Sequence, residues 1–508
     1  MVIGDIAIRN ARNYPSKIAL VFGNDRYTFK EFNDRVNRLT RALLDSGVER
    51  GGRIAILAEN CPQYAEAYFA TAKGGLVILP LNARLAGPEL VYIINDAQVS
   101  TLLVEKEFLG LIDSIWSQLE TVANLITIGE AGENSYELLI SRYPPEEPDI
   151  RVDEDDLACL MYTSGTTGRP KGAMLTHRNL IANALNPILA FQFRHDDITL
   201  HLAALYHVAA QWPLMSHFYL GATNVLLKKF EPLATLKVVE TERITTLNAV
   251  PVMISGLLDQ LDKEEHDLSS ASWIGYGASP MPLPLIKRAL HRFGQVMVQL
   301  YGLTESGGIV TWLPQEDHII EGPEEKLRRL TSCGKEIINV EVRVVDEAGQ
   351  DVAPGQVGEI IVRGDNVMKG YWAQPEATAE TLKGGYLHTG DLATVDEEGY
   401  IYIVDRKKDM IISGGENIYS REVEEAIFAH PAVRDVAVIG VPDEKWGEAV
   451  KAVVVLKEGA TATEEEIIEF CRQRIASYKK PKSVDFVPEL PRNATGKVLK
   501  TLLREQYG

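Results

Sequence analysis

Short apolar runs and amphipathic helical stretches take turns along most of this chain, and that alternation restricts the fold more than any other feature. Thr28 and Glu31 form a capping box ahead of Phe32, Val36, Leu39 and Leu43, whose spacing keeps one apolar face on a helix. A strand-like run at 54–58 follows, then a helical stretch around 64–72 and a second apolar run at 76–81. Further strands are expected at 101–104, 224–227 and 247–250. Strand and helix in turn predict an α/β fold with parallel-type sheets covered by helices.

From about residue 340 the texture changes to short strands, such as 342–345 and 359–362, separated by Gly and Pro turns. This predicts a small β-rich unit at about 335–404. A charged run at 405–409 then leads into roughly 100 residues with a helix near 422–429 and strands near 436–441 and 450–456, the size of a separate small α+β domain. At 508 residues the chain exceeds what one core usually holds.

The net charge of −19 argues against a non-specific nucleic-acid binder, which needs a positive field to displace counterions. Any anionic ligand must therefore be met by local cations. The longest apolar runs fall short of the ~18 residues that span a bilayer, and Asp5, Arg9 and Arg12 near the start do not fit a secretory signal. A cytoplasmic protein is expected. Cys61, Cys159, Cys333 and Cys471 are far apart and form no CxxC pair, so buried, unpaired thiols are expected, with no zinc site.

The stretch TSGTTGRPKG at 163–172 follows the apolar run 157–162. Gly165 and Gly168 let the backbone curl so that N–H groups converge, while the hydroxyls of Thr163, Ser164, Thr166 and Thr167 add donors for phosphate oxygens. Lys171 supplies the compensating charge. The glycine spacing differs from a Walker A loop, and Gly172 stands where that loop needs Ser or Thr.

Further motifs occur in a set order: YGLTE at 301–305, TGD at 389–391, DRKKDMIISGGENI at 405–418 and PRNATGK at 491–497. Together with the phosphate loop they make the chain resemble the adenylate-forming superfamily of acyl-CoA synthetases, luciferases and peptide-synthetase adenylation domains. The resemblance covers nearly the whole chain. In flavour it is similar to bacterial fatty-acid–CoA ligases, through SWIGYGASPMP at 272–282 and KVLKTLLREQY at 497–507.

The resemblance implies an N-terminal adenylation domain, 1–404, and a mobile C-terminal domain, 405–508, hinged at Asp405. It implies ATP, Mg²⁺ and coenzyme A as cofactors, a small carboxylic acid as substrate, and is compatible with a homodimer. A carboxylate must approach the α-phosphate of ATP, and two such charges at about 4 Å repel by about 4 kcal/mol at an effective dielectric near 20. By resemblance Lys497 offsets that repulsion, the loop with Thr163 and Lys171 holds the outer phosphates, and Glu305 with Thr304 binds Mg²⁺. Tyr301 and Gly302, with the Gly277–Ala278–Ser279 backbone, would border the adenine, and Asp391, with Ile403 and Arg406 close by, would hold the ribose. Ser413, Gly414, Gly415 and Trp446 would face CoA, flanked by the cluster Lys479, Lys480 and Lys482.

Only residues 498–508 follow Lys497, so a free thiol is expected as acceptor rather than a fused carrier domain. The acid would lie among His207, Val208, Trp212, Val250, Tyr276, Gly302, Gly307 and Gly308, segments whose glycines leave room and which hold no Lys, Arg or Asp to pair with a charged tail. A mainly apolar acid is therefore expected: a medium- or long-chain fatty acid first, an aromatic acid of the cinnamate or benzoate type second. A non-catalytic ATP-binding protein is the alternative of another class.

Overall fold

The computed structural model describes residues 1–129, 132–163, 169–492 and 498–507. They divide into two compact units, Met1–Val342 with Val362–His388, and Arg343–Ile361 with Thr389–Gly508.

The first unit is α/β, as the alternation predicts. One sheet runs, in spatial order, Lys335–Glu336, Gly308–Leu313, Met297–Leu303, Trp273–Gly277, Thr246–Ala249, Ile198–His201, Thr223–Leu226, Ile18–Phe22 and Asp25–Thr28. Its interior, from Met297–Leu303 to Ile18–Phe22, is parallel, and antiparallel strands close both edges. A second sheet orders Gly370–Tyr371, Lys171–Thr176, Leu157–Thr163, Val77–Pro80, Arg53–Leu57, Val99–Glu105 and Asn124–Ile128.

Helices cover these sheets. The helix Phe29–Asp45 starts at the expected capping box, with Thr28 accepting from the Glu31 amide and the Glu31 carboxylate returning to the Thr28 amide. Its apolar stripe, Phe32, Val36, Leu39 and Leu43, is fully buried. Pro62–Gly74 is buried on nearly every side and carries a buried cation, Lys73, whose ammonium donates to Asn33, Asn37 and Glu147. Three partners make that burial tolerable.

In the second unit, residues of the strand Tyr386–Val395 pair antiparallel with Ile401–Arg406. Beyond lies a sheet built on the long hairpin Val433–Asp443 with Gly447–Leu456, packed by the helices Ser420–Phe428 and Glu464–Arg472. The four cysteines are buried and unpaired, as expected, and burial pushes the Cys61 thiol up to about 12. No helix among the described residues is long and apolar enough to cross a membrane.

Candidate active site

Parallel strands of the first sheet end together at 201, 249 and 277, where open α/β sheets usually bind ligands. Gly277 is the last residue of its strand. A Cβ there would fall 2.2 Å from the Leu300 carbonyl oxygen, and the following Ala278 adopts φ 65°, a left-handed kink in the segment expected to edge adenine. Tyr301 and Gly302 sit at an irregularity in the pairing with Gly308–Leu313. A Cβ on Gly302 would lie 1.8 Å from the Gly308 oxygen, so no larger residue fits there.

The phosphate-loop segment connects an antiparallel pair in which Thr163 faces Lys171 and Tyr162 faces Gly172. Ser164, Gly165, Thr166, Thr167 and Gly168 lie outside the described residues. At its base the Lys171 ammonium stands 5.3 Å from the centre of the Tyr371 ring. The Tyr371 phenol donates a 2.8 Å hydrogen bond to Oε1 of Glu305, whose backbone oxygen accepts from the Met368 amide. Lys171 and Glu305, far apart in sequence, thus share one tyrosine. Oε2 of Glu305 and the hydroxyl of Thr304 are hard oxygen donors, the kind that suits Mg²⁺.

In the second unit, Asp391 is 3 % exposed and pairs with Arg406 at 2.6 Å across the antiparallel strands. Ile403 lies on the same strand as Arg406, its carbonyl accepting from Arg421. The Asp405 carboxylate accepts from the Arg406 amide and from the amide and hydroxyl of Ser420, and Lys500 donates to that hydroxyl and pairs with Glu424 at 2.7 Å. Lys497 lies outside the described residues.

Ser413 stands opposite Gly447, and the Gly414 amide donates to the Trp446 oxygen. Gly414 and Gly415 both take positive φ, and a Cβ on Gly414 would come within 2.7 Å of the Trp446 indole, so the indole lies against bare backbone. The Trp446 ring is 39 % exposed and is approached by the ammonium groups of Lys445 and Lys482, 4.7 and 5.2 Å from its centre. Lys479, by contrast, is tied to Glu422.

The residues expected around the acid fall into two groups. His207 caps the helix that begins at Val208; its Nε2 is buried with no partner among the described residues, and burial lowers the imidazole to about 4. Trp212, on that helix, packs with Phe191 and Trp273, which in turn contact Phe193 and Trp312. Gly307 and Gly308 have φ 66° and 144°, and a Cβ would fall 2.7 Å from the Asn366 oxygen at the first and 2.5 Å from the Asn183 amide at the second. Val250 caps the helix Pro251–Leu261. Strand alternation turns Tyr276 to the other face from Gly275, where its hydroxyl donates to Nε2 of buried His318.

Sequence reasoning missed Tyr371, Trp273 and Asn183. An aromatic beside a glycine, as in GYW at 370–372, is too common a pattern to single out Tyr371.

Residues 8–372 match a family described as AMP-binding enzyme, and 422–497 match the AMP-binding enzyme C-terminal domain. The chain is 41 % identical to a feruloyl-CoA synthase from an Amycolatopsis species, across 100 % of this chain and 99 % of that one. It is 36 % identical to the long-chain-fatty-acid–CoA ligase FadD13 of Mycobacterium tuberculosis, covering 95 % of this chain and 93 % of the other. The structure superposes on ATP-bound MatB from Rhodopseudomonas palustris with a TM-score of 0.90 at 33 % identity, covering 100 % and 99 % of the two chains.

Proposed function

Because the chain belongs to the AMP-binding enzyme family and is an AMP-forming acid–CoA ligase, we propose that its acid is aromatic, a ring carried on a short acyl arm. The observation that carries this reading is the ring wall of Phe191, Trp212, Trp273 and Trp312, with centroids 5.0 to 6.5 Å apart. Aromatic rings favour edge and offset contacts at such spacing. The 41 % identity to a feruloyl-CoA synthase points the same way. A fatty acid is the second reading, favoured by the likeness to FadD13.

In this reading the acid carboxylate attacks the α-phosphorus of ATP, the Pα–O bond to pyrophosphate breaks, and acyl-AMP forms. Lys497 offsets the negative charge shared by carboxylate and α-phosphate, and Lys171 draws the outer phosphates. Glu305 and Thr304 would hold Mg²⁺ through oxygens, where it would offset phosphate charge, and Tyr371 fixes the Glu305 carboxylate. Asp391 accepts from the ribose hydroxyls, oriented by Arg406. The CoA thiol, after losing its proton, then attacks the acyl carbon and AMP leaves. Ser413, Gly414 and Gly415 flank the pantetheine arm, and Trp446 with Lys482 meets the nucleotide end of CoA. His207, neutral at pH 7, serves as a wall of the acyl site.

Pyrophosphate release with CoA, measured across matched aromatic and fatty acids, tests the substrate class. Higher kcat/KM for the aromatic set supports it, and higher values for fatty acids would replace it with the second reading.

A further inference from the structure

Asn248 sits one residue before the end of the strand Thr246–Ala249, beside His201 on one neighbouring strand and Gly275 on the other. Residues two apart share a face, so Thr246, Asn248, Trp273 and Gly275 look the same way. Two polar groups near them are paired: the Thr246 hydroxyl donates to Nε2 of His217, and His201 bonds Asn224 at 2.9 Å. Asn248 and the indole N–H of Trp273 are not, among the described residues. Oδ1 of Asn248 is buried and has no hydrogen-bond partner among the described residues.

Gly275 makes the room that this oxygen occupies. A Cβ there would lie 2.2 Å from Oδ1 of Asn248 and 2.5 Å from the Trp273 ring. The missing side chain therefore leaves the amide and the indole edge side by side. Trp273 in turn contacts Trp212, a residue of the acyl wall. A polar acceptor without a partner, set at the foot of a wall of rings, is costly unless something bonds it.

We propose that Asn248 is a specificity-determining residue: its amide takes a hydrogen bond from an O–H or N–H on the far end of an aromatic acid, so the enzyme selects hydroxylated or ring-N–H aryl acids over their unsubstituted counterparts. This rests on the aromatic reading above and adds to it a requirement for a donor on the ring. An acid lacking the donor leaves the amide desolvated and unpaired, and pockets built around a hydrogen bond discriminate strongly against such analogues.

The test compares kcat/KM for 4-hydroxycinnamate and cinnamate in the wild type, in Asn248→Leu and in Gly275→Ala, with CoA and ATP saturating. The wild type should prefer the hydroxylated acid by roughly 10- to 100-fold. Asn248→Leu should bring the two within about threefold, mostly by losing the hydroxylated acid, as a donor-bonding site predicts. Gly275→Ala, which pushes on Oδ1 without altering the amide, should also shrink the ratio, and it keeps the test alive should the leucine variant fail to fold. Equal use of both acids by the wild type, as expected if Asn248 binds only a water, overturns the proposal. So does an unchanged ratio in a folded variant. Turnover of cinnamate leaves the aromatic reading standing in either case, whereas absence of AMP from both acids brings that reading down as well.

Discussion

The phenol of Tyr371 donates a 2.8 Å hydrogen bond to Oε1 of Glu305 while its ring carries the ammonium of Lys171 5.3 Å from its centre. One aromatic side chain thus sets both a carboxylate suited to a metal and a cation suited to phosphate. Tyr371→Phe keeps the ring and removes the bond. Hydrogen bonds to charged groups contribute about 1.5–3 kcal/mol, so kcat/KM for MgATP should fall roughly tenfold or more. An unchanged magnesium and ATP dependence would detach Tyr371 from the metal site.

In the proposed reaction Lys497 serves adenylation alone. Lys497→Ala should abolish acyl-adenylate formation and leave thioester formation from supplied acyl-adenylate largely intact. Rapid-quench measurement of the two half-reactions separates these, and equal loss in both contradicts the assignment.

In the proposed reaction Trp446, whose ring rests on Gly414 and is flanked by Lys445 and Lys482, meets CoA. Trp446→Ala should raise the KM for CoA by roughly tenfold, the scale of a stacking or cation–π contact of about 1–2 kcal/mol, while pyrophosphate release without CoA stays unchanged. A shift in the KM for ATP instead would place the indole elsewhere in the cycle.

Stability should depend on pH through buried imidazoles. Burial lowers His177, His207, His217 and His318 to about 4 from an ordinary 6.5, and His201 to about 3. The folded state refuses protons that the unfolded chain accepts at 6.5, so unfolding takes up protons between those values. The stabilisation is complete above pH 6.5 and is lost as pH falls through the folded values, by about 3 kcal/mol for an imidazole lowered to about 4 and about 5 kcal/mol for His201. The urea midpoint should fall steadily from pH 7 to pH 4.5, with a shallower fall in His318→Gln; a flat profile over that range contradicts this.

Local signals made much of the fold legible. The Thr28–Glu31 box and the 3.6-residue apolar stripe gave the helix Phe29–Asp45, and apolar runs gave strands such as Val99–Glu105 and Gly447–Leu456 to within a few residues. The motifs named Glu305 and Lys171, but nothing local tells that Tyr371 joins them, because the pairing is made by chain segments that meet only on folding. Asn248 was invisible for a related reason: an asparagine in a strand announces neither its face nor its lack of a partner. Tyr276, expected among the residues around the acid, bonds His318 through its hydroxyl, a partner that no local signal announces.

In the proposed function, ring-bearing acids become CoA thioesters by way of their adenylates. The most direct measurement incubates purified protein with ATP, magnesium, CoA and 4-hydroxycinnamate and follows AMP and thioester together. The expected result is one AMP per thioester. Failure of every aromatic acid to yield AMP, while medium- or long-chain fatty acids turn over under the same conditions, would contradict it.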